Sequence, residues 1–184
     1  MEDPPDFEFL FNMLCTIPAL INIVFPFYGG FILDKFGARN CLLVYILLVT
    51  MGHVLYTVGL SAKSWLLLFL GRAVFGLGDG STSVANLIIL TVWFEGKELA
   101  LALGLNLSAS RVGSVVNNLI SPAIARYSTI LGVSGVVMSS VVAVIVVVIA
   151  FLAAIFIYII DKQIENDIKN NHVTELYGSD MTTY

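Results

Sequence analysis

The sequence has few charged residues, and fewer basic than acidic ones. Asp, Glu, Lys and Arg make up 12% of its 184 residues, about half the share of a soluble domain, while 58% are hydrophobic. A formal net charge of -4 with no Lys and Arg cluster excludes a nucleic-acid-binding surface. Two cysteines, Cys15 and Cys41, are too few for a disulfide framework or a four-cysteine zinc site. The composition is that of a membrane protein, and it predicts no metal and no other cofactor.

Five apolar stretches are long enough to cross a bilayer as helices, because about 20 residues rising about 1.5 Å each span the hydrocarbon core. The expected spans are residues 9–33, 41–60, 65–94, 99–124 and 131–160. Residues 1–8 form an acidic lead, and residues 161–184 form a polar tail. We therefore predict an all-α polytopic membrane protein.

The basic residues outside the spans predict its orientation. One side of the membrane would carry Lys35, Arg39, Lys97, Lys162 and Lys169, and the other only Lys63 and Arg126. Since cytosolic loops carry the excess of Lys and Arg, the tail is expected in the cytosol and the lead on the luminal or extracellular side.

Polar and charged side chains concentrate in the third and fourth spans. A charge in the middle of the membrane costs about 2.5–3.5 kcal/mol on insertion scales, so such residues usually face an interior or an aqueous cavity. The third span carries a row at helical spacing, expected to face one partner surface, made of Arg72, Gly76, Asp79, Ser83 and Asn86. The fourth span carries a similar row of Gly104, Ser108, Arg111 and Asn118. Two such rows would line a wet cleft, in which Asp79 and Arg111 could neutralise each other.

Close helix packing is the alternative explanation for many of these positions, because Gly and Ser let membrane helices approach each other. We adopt it for most of the Gly and Ser residues and favour a functional role for Asp79 and Arg111. For Arg72 both explanations stay open. The fifth span is apolar nearly all round except at Ser139 and Ser140, which is typical of a peripheral helix facing lipid.

Two motifs give the chain a family resemblance. The first break follows the pattern G-x-x-x-D-[RK]-x-G-x-[RK], carried by Gly30, Asp34, Lys35, Gly37 and Arg39. The third span follows R-x-x-x-G-x-G, carried by Arg72, Gly76 and Gly78. Both resemble motifs of the major facilitator superfamily, the first between its helices two and three and the second on its fourth helix. The run W-F-x-G-K-E-L at residues 93–99 and the sequence around Arg111 resemble that superfamily's lysosomal dipeptide uniporter branch.

This resemblance implies a fold and a mechanism. The five spans would be helices two to six of a twelve-helix fold, whose two halves rock about a central site so that it opens to one side at a time. The motif residues in the first break, with Arg72, Gly76 and Gly78, would control this movement without touching substrate. The substrate would be a dipeptide moved from lysosome to cytosol, and the lysosomal membrane would be its location.

Site residues follow from the same resemblance. Arg111 matches the arginine that would hold the peptide carboxylate, which suits its bidentate guanidinium. Asp79 would bind the amine or a proton, although the branch has Gly-Gly-Glu where this chain has Gly78-Asp79-Gly80. The acid therefore comes one residue early, a rotation of about 100° on the helix. Secondary polar contacts would come from Asn86, Ser108 and Asn118.

Partners are also implied. The chain would act with the lipid bilayer, the remainder of the transporter and, by resemblance, a glycosylated accessory membrane subunit, and a homodimer stays open. Because only five of twelve helices are expected here, the chain would be an incomplete fragment that does not transport alone. The alternatives are a non-transporting truncated membrane partner, and a major facilitator carrier for another small organic anion or amino acid.

An intramembrane aspartyl protease is a remote alternative. Residues 76–79 spell its GLGD letters and residues 18–20 its PAL letters. That chemistry needs two carboxylates sharing a proton, but no second acid lies within the spans and the PAL letters come first instead of last. We therefore predict that the protein is not an enzyme and has no catalytic residues.

Overall fold

The computed structural model describes residues 7–130 and 134–180, without the side chains of residues 7, 129, 130 and 165–180. The described chain is helical and has no strand. Its helices are α1 (Phe7–Phe36), α2 (Ala38–Ala62), α3 (Trp65–Trp93), α4 (Gly96–Ile130) and α5 (Gly135–Asp180). Each contains a segment long and apolar enough to cross a membrane. The predicted all-α fold with five spans is confirmed.

The expected boundary between the fifth span and the polar tail is not a helix end. Helix α5 continues from Gly135 to Asp180, through most of the expected polar tail. Residues 1–6 of the lead, 131–133 of the fifth span and 181–184 of the tail lie outside the described residues.

Backbone geometry at both ends of α2 explains the sharp connections there. The φ angle of Gly37 is +83°, a value that favours glycine, so the motif glycine is the single residue needed between the end of α1 and the start of α2. At the other end Lys63 takes the left-handed conformation with φ of 52°. There the Lys63 N–H donates to the Leu60 carbonyl oxygen and the Ser64 N–H to that of Gly59, which satisfies two carbonyls at the helix end.

Helices α2 and α3 form the most extensive interface of the described chain. Glycines bring their backbones together at two points. A Cβ added to Gly52 would lie 2.5 Å from the Phe75 backbone nitrogen, and one added to Gly71 would lie 2.6 Å from that of Tyr56. Close backbone approach at small residues is a common way for membrane helices to associate, because van der Waals packing must replace the hydrophobic effect.

Helix α3 is also covered by α1, on a second side. A Cβ added to Gly76 would lie 2.9 Å from the Pro18 Cα atom, and the fully buried Ser81 lies against Gly29. The Tyr45 hydroxyl of α2 donates a hydrogen bond of 3.0 Å to the Gly29 carbonyl oxygen of α1. Helix α3 is therefore the central helix of a three-helix unit.

Helix α5 is attached through its two serines. The Ser140 hydroxyl lies 2.6 Å from that of Thr57 on α2, and the Ser139 hydroxyl is hydrogen-bonded to Ser121 on α4. Helix α4 has its main contact with α5 and only a small one with α3. Much of the α4 surface between residues 104 and 120 is consequently exposed.

Candidate functional site

Asp79 lies in the middle of α3 and is held by a side chain of α1. The Asn22 Nδ2 group donates a hydrogen bond of 3.0 Å to Asp79 Oδ2, and Asn22 Oδ1 accepts one of 3.2 Å from the Gly80 N–H. One carboxamide therefore fixes both the carboxylate and the backbone beside it. A hydrogen bond to a charged group contributes about 1.5–3 kcal/mol, so Asn22 orients Asp79 and lowers the cost of keeping it in the membrane.

Asn22 is not among the site residues predicted from the sequence. Its signal is an amide in an apolar span, four residues before Pro26 in the same helix. An amide there also fits helix packing, because Asn side chains bond membrane helices together. The position of its partner on another helix cannot be read from the order of residues, so the pairing with Asp79 appears only in the fold.

The two glycines beside Asp79 explain where the acid is placed. A Cβ at Gly78 would lie 2.6 Å from the Tyr45 carbonyl oxygen of α2. A Cβ at Gly80 would lie 2.8 Å from Pro26 Cγ and 3.0 Å from Asn22 Oδ1, both on α1. Position 80 is where the family resemblance led us to expect an acid, and here α1 fills the space that an acid would need. Position 79 lies between these two contacts and has room for a side chain.

The expectation that the α3 row faces one partner surface is wrong. Arg72 lies against Tyr56 of α2, with its guanidinium carbon 4.4 Å from the ring centroid. Asp79 is bonded to α1, and Asn86 Nδ2 donates a bond of 3.0 Å to Asn106 Oδ1 of α4. The row from Arg72 to Asn86 rises about 21 Å along the helix, so successive members meet different neighbours.

The Arg72 side chain contacts an aromatic ring and has one N–H group without a hydrogen-bond acceptor among the described residues. Its Nε atom is buried and has no hydrogen-bond partner among the described residues. Stacking on Tyr56 contributes about 0.5–2 kcal/mol and partly compensates for the burial of the charge. Gly76, four residues later, provides the contact with Pro18, so this part of the motif also has a packing role.

The predicted α4 residues are brought to a surface and not to Asp79. Ser108, Arg111 and Asn118 are exposed, and their side chains form no hydrogen bond or ion pair with another described residue. The expected mutual neutralisation of Asp79 and Arg111 is therefore not seen. The reason is the packing: Asp79 is directed to α1, whereas α4 rests mainly on α5. Asp79 and Arg111, which both lie within the spans, therefore form no ion pair with each other.

The motif in the first break lies at the end of the bundle. Asp34 and Lys35 are exposed, and a Cβ added to Gly30 would meet no atom within 4 Å. Arg39 Nε forms an ion pair with Asp161 Oδ2 of α5. The Asp161 side chain is 14% exposed. The motif therefore connects the start of α2 to the segment of α5 that follows its apolar stretch.

Within the described part of the chain, no group of three or more His, Cys, Asp and Glu residues could hold a metal ion.

Comparison with known proteins gives a match over nearly the whole chain. A sequence profile of the Major Facilitator Superfamily matches residues 8–176. Among curated proteins, the lysosomal dipeptide transporter MFSD1 of Danio rerio is 40% identical over 116 residues, and that of Homo sapiens is 39% identical over 116 residues. Each of these alignments covers 62% of this chain and 25% of the relative. The probable anion transporter 3, chloroplastic, of Arabidopsis thaliana is 32% identical over 94 residues, which cover 51% of this chain and 18% of the relative.

Proposed function

The chain belongs to the major facilitator superfamily, and from this membership we propose that it supplies five helices of a transporter that moves dipeptides from the lysosome to the cytosol. It is a member of a transporter family and not an intramembrane protease, so the GLGD and PAL letters are coincidental. Its alignments cover about a quarter of the length of the dipeptide transporters that it matches. The other walls of the transport path would come from the remainder of the transporter.

The observation that carries the proposal is the pair of opposite charges in the spans that do not neutralise each other. Asp79 is oriented by Asn22, which leaves its Oδ1 without a hydrogen bond to any described residue. Arg111 projects from α4 and has no described partner. A dipeptide at neutral pH carries one positive and one negative end, separated by about 7 Å when extended. Such a zwitterion would bridge an acid and an arginine that are held apart by different helices.

Each charge has its own role in this proposal. Arg111 would bind the peptide carboxylate with two parallel N–H donors. Asp79 would accept a hydrogen bond from the peptide amine, in an orientation set by Asn22. Asn86, Ser108 and Asn118 would add polar contacts along the same path.

Movement of the two halves would then carry the site from one side of the membrane to the other. The residues of the first break, Gly30, Asp34, Lys35, Gly37 and Arg39, lie at the end of the bundle and would act on this movement. The ion pair of Arg39 with Asp161 would hold α2 and α5 together as a unit. We also propose the lysosomal membrane as the location and, from the family resemblance, a glycosylated accessory membrane subunit and a second copy of the chain as partners.

The experiment is dipeptide binding to the complete transporter reconstituted in liposomes. Arg111→Gln should weaken binding by about tenfold or more, because a charge-assisted hydrogen bond contributes about 1.5–3 kcal/mol. Arg126→Gln is the matched control, since this exposed arginine lies on the same helix about four turns further along. Equal affinity in the wild type and Arg111→Gln would contradict the site.

A carrier for an organic anion is the second candidate. It is favoured by the position of the acid one residue earlier than in the dipeptide branch, and by the similarity to a probable anion transporter. An N-acetylated dipeptide keeps the carboxylate and lacks the amine charge. A dipeptide carrier should transport it much more slowly than the free dipeptide, whereas an anion carrier should accept both.

A further inference from the structure

A cavity of about 410 Å³ lies at one membrane boundary, outside the proposed transport path. It is enclosed by the start of α2, the end of α3 and the part of α5 that follows its apolar stretch. Its lining includes Arg39, Val92, Trp93, Tyr158, Asp161 and Lys162. This boundary is the one that the distribution of Lys and Arg predicts to be cytosolic. We call it the interfacial cavity.

One end of the interfacial cavity is polar and has an excess of positive charge. Arg39 is paired with Asp161, which neutralises both. Lys162 has no ion pair with a described residue, and its Nζ atom lies 6.0 Å from the centroid of the Tyr158 ring. The polar end therefore has a net charge of about +1, and the N-terminal end of the α2 helix dipole adds a partial positive charge.

The opposite wall is apolar and open to the membrane. Val92 is 74% exposed and Trp93 is 51% exposed, although both are large apolar side chains. Trp93 and Tyr158 are residues of the kind that lie at the level of lipid headgroups, where one end of the ring contacts lipid and the other contacts water. A ligand that fills this cavity needs a negatively charged polar part and an apolar part beside it.

We propose that the interfacial cavity binds the headgroup of an acidic phospholipid from the adjoining leaflet. The phosphate would lie at Lys162, and one acyl chain would follow Val92 and Trp93 toward the membrane interior. Basic pockets between membrane helices can hold acidic lipid headgroups, because their cationic side chains attract the headgroup phosphate. Because the cavity joins α2, α3 and α5, the bound lipid would also stabilise their packing. The proposal depends on the membrane position of these helices and not on the transported substrate.

Fluorescence provides a direct test, because the chain has two tryptophans and one of them lines the cavity. Trp65→Phe leaves Trp93 as the single emitter. In nanodiscs of phosphatidylcholine, a small fraction of brominated phosphatidylserine should quench Trp93 more than the same fraction of brominated phosphatidylcholine. Equal quenching by the two lipids would overturn the proposal.

Two lysine variants test whether the preference for phosphatidylserine arises at the interfacial cavity. Lys162→Gln should weaken the preference for phosphatidylserine by about fivefold, which corresponds to about 1 kcal/mol. Lys97→Gln is the control, since Lys97 is exposed on the same predicted side but does not line the cavity. An equal loss in both variants would mean general surface attraction and would refute a specific site.

A second measurement needs no tryptophan variant and separates a lipid from a free anion. The protein with both tryptophans should gain thermal stability from added phosphatidylserine, and Lys162→Gln should lose most of this gain. Inorganic phosphate at millimolar concentration should neither reproduce nor reverse the effect. Reversal by inorganic phosphate would identify a site for soluble anions and would reject the lipid assignment.

Discussion

Substitution of Gly52 by alanine should destabilise the bundle, because this glycine sets the distance between α2 and α3. The new Cβ would lie 2.5 Å from the Phe75 nitrogen and 2.7 Å from its Cα, whereas atoms in contact normally lie about 3.5–4.0 Å apart. The helices would have to move apart by about 1 Å, since backbone atoms cannot rotate away. Overpacking of this kind costs about 1–3 kcal/mol, and the higher helix propensity of alanine returns about 0.5–1 kcal/mol. The difference between these two ranges gives an expected net loss of stability of up to about 2.5 kcal/mol.

The assay is unfolding of the purified chain in mixed micelles, with an increasing fraction of a denaturing detergent. Gly104→Ala on α4 is the matched control, because no atom lies within 4 Å of the Cβ that it adds. This control should leave stability unchanged or raise it by up to about 1 kcal/mol. If Gly52→Ala proved as stable as Gly104→Ala, the close approach of α2 and α3 would be refuted.

Three further substitutions test the polar contacts. Asn22→Ala should lower stability by about 1–3 kcal/mol in the same assay, because it leaves the partly buried Asp79 carboxylate without its donor. Asn12→Ala, on an exposed part of α1, should have little effect. A double-mutant cycle with Arg39→Gln and Asp161→Asn should give a coupling energy of about 0.5–3 kcal/mol, and purely additive effects would argue against the ion pair. Arg72→Lys should lower stability by about 1 kcal/mol in the same assay, because the lysine ammonium group cannot stack on the Tyr56 ring as a planar guanidinium does. Unchanged stability would show that the aromatic contact is unimportant.

The fold could be predicted from the sequence because its signals are local. Apolar runs long enough to cross a bilayer identify five helices, and Gly37 marks the sharp connection between the first two. The two motifs identify the family, which the profile match confirms over residues 8–176. Helix termini are less well determined: the charged residues after Ile160 suggest a tail, yet backbone hydrogen bonding continues α5 to Asp180.

The contacts of the candidate site could not be predicted in the same way, because they depend on how helices pack. Helical spacing places Arg72, Asp79 and Asn86 in one row. The spacing does not show that Arg72 contacts α2, that Asp79 contacts α1 and that Asn86 contacts α4. Asn22 had a signal as an amide in an apolar span, and only the approach of α1 to Gly80 makes it the partner of Asp79. The role of Gly80 depends equally on Pro26, which lies 54 positions earlier in the numbering.

The most direct test of the proposed site compares a dipeptide with its C-terminal amide, in binding to the complete transporter with and without the Arg111→Gln substitution. If Arg111 holds the peptide carboxylate, the wild type should bind the amide at least about tenfold more weakly than the acid. Arg111→Gln should bind the two ligands with nearly equal affinity. If the variant keeps the full preference for the carboxylate, Arg111 does not read that end of the peptide and the assignment of the site is wrong.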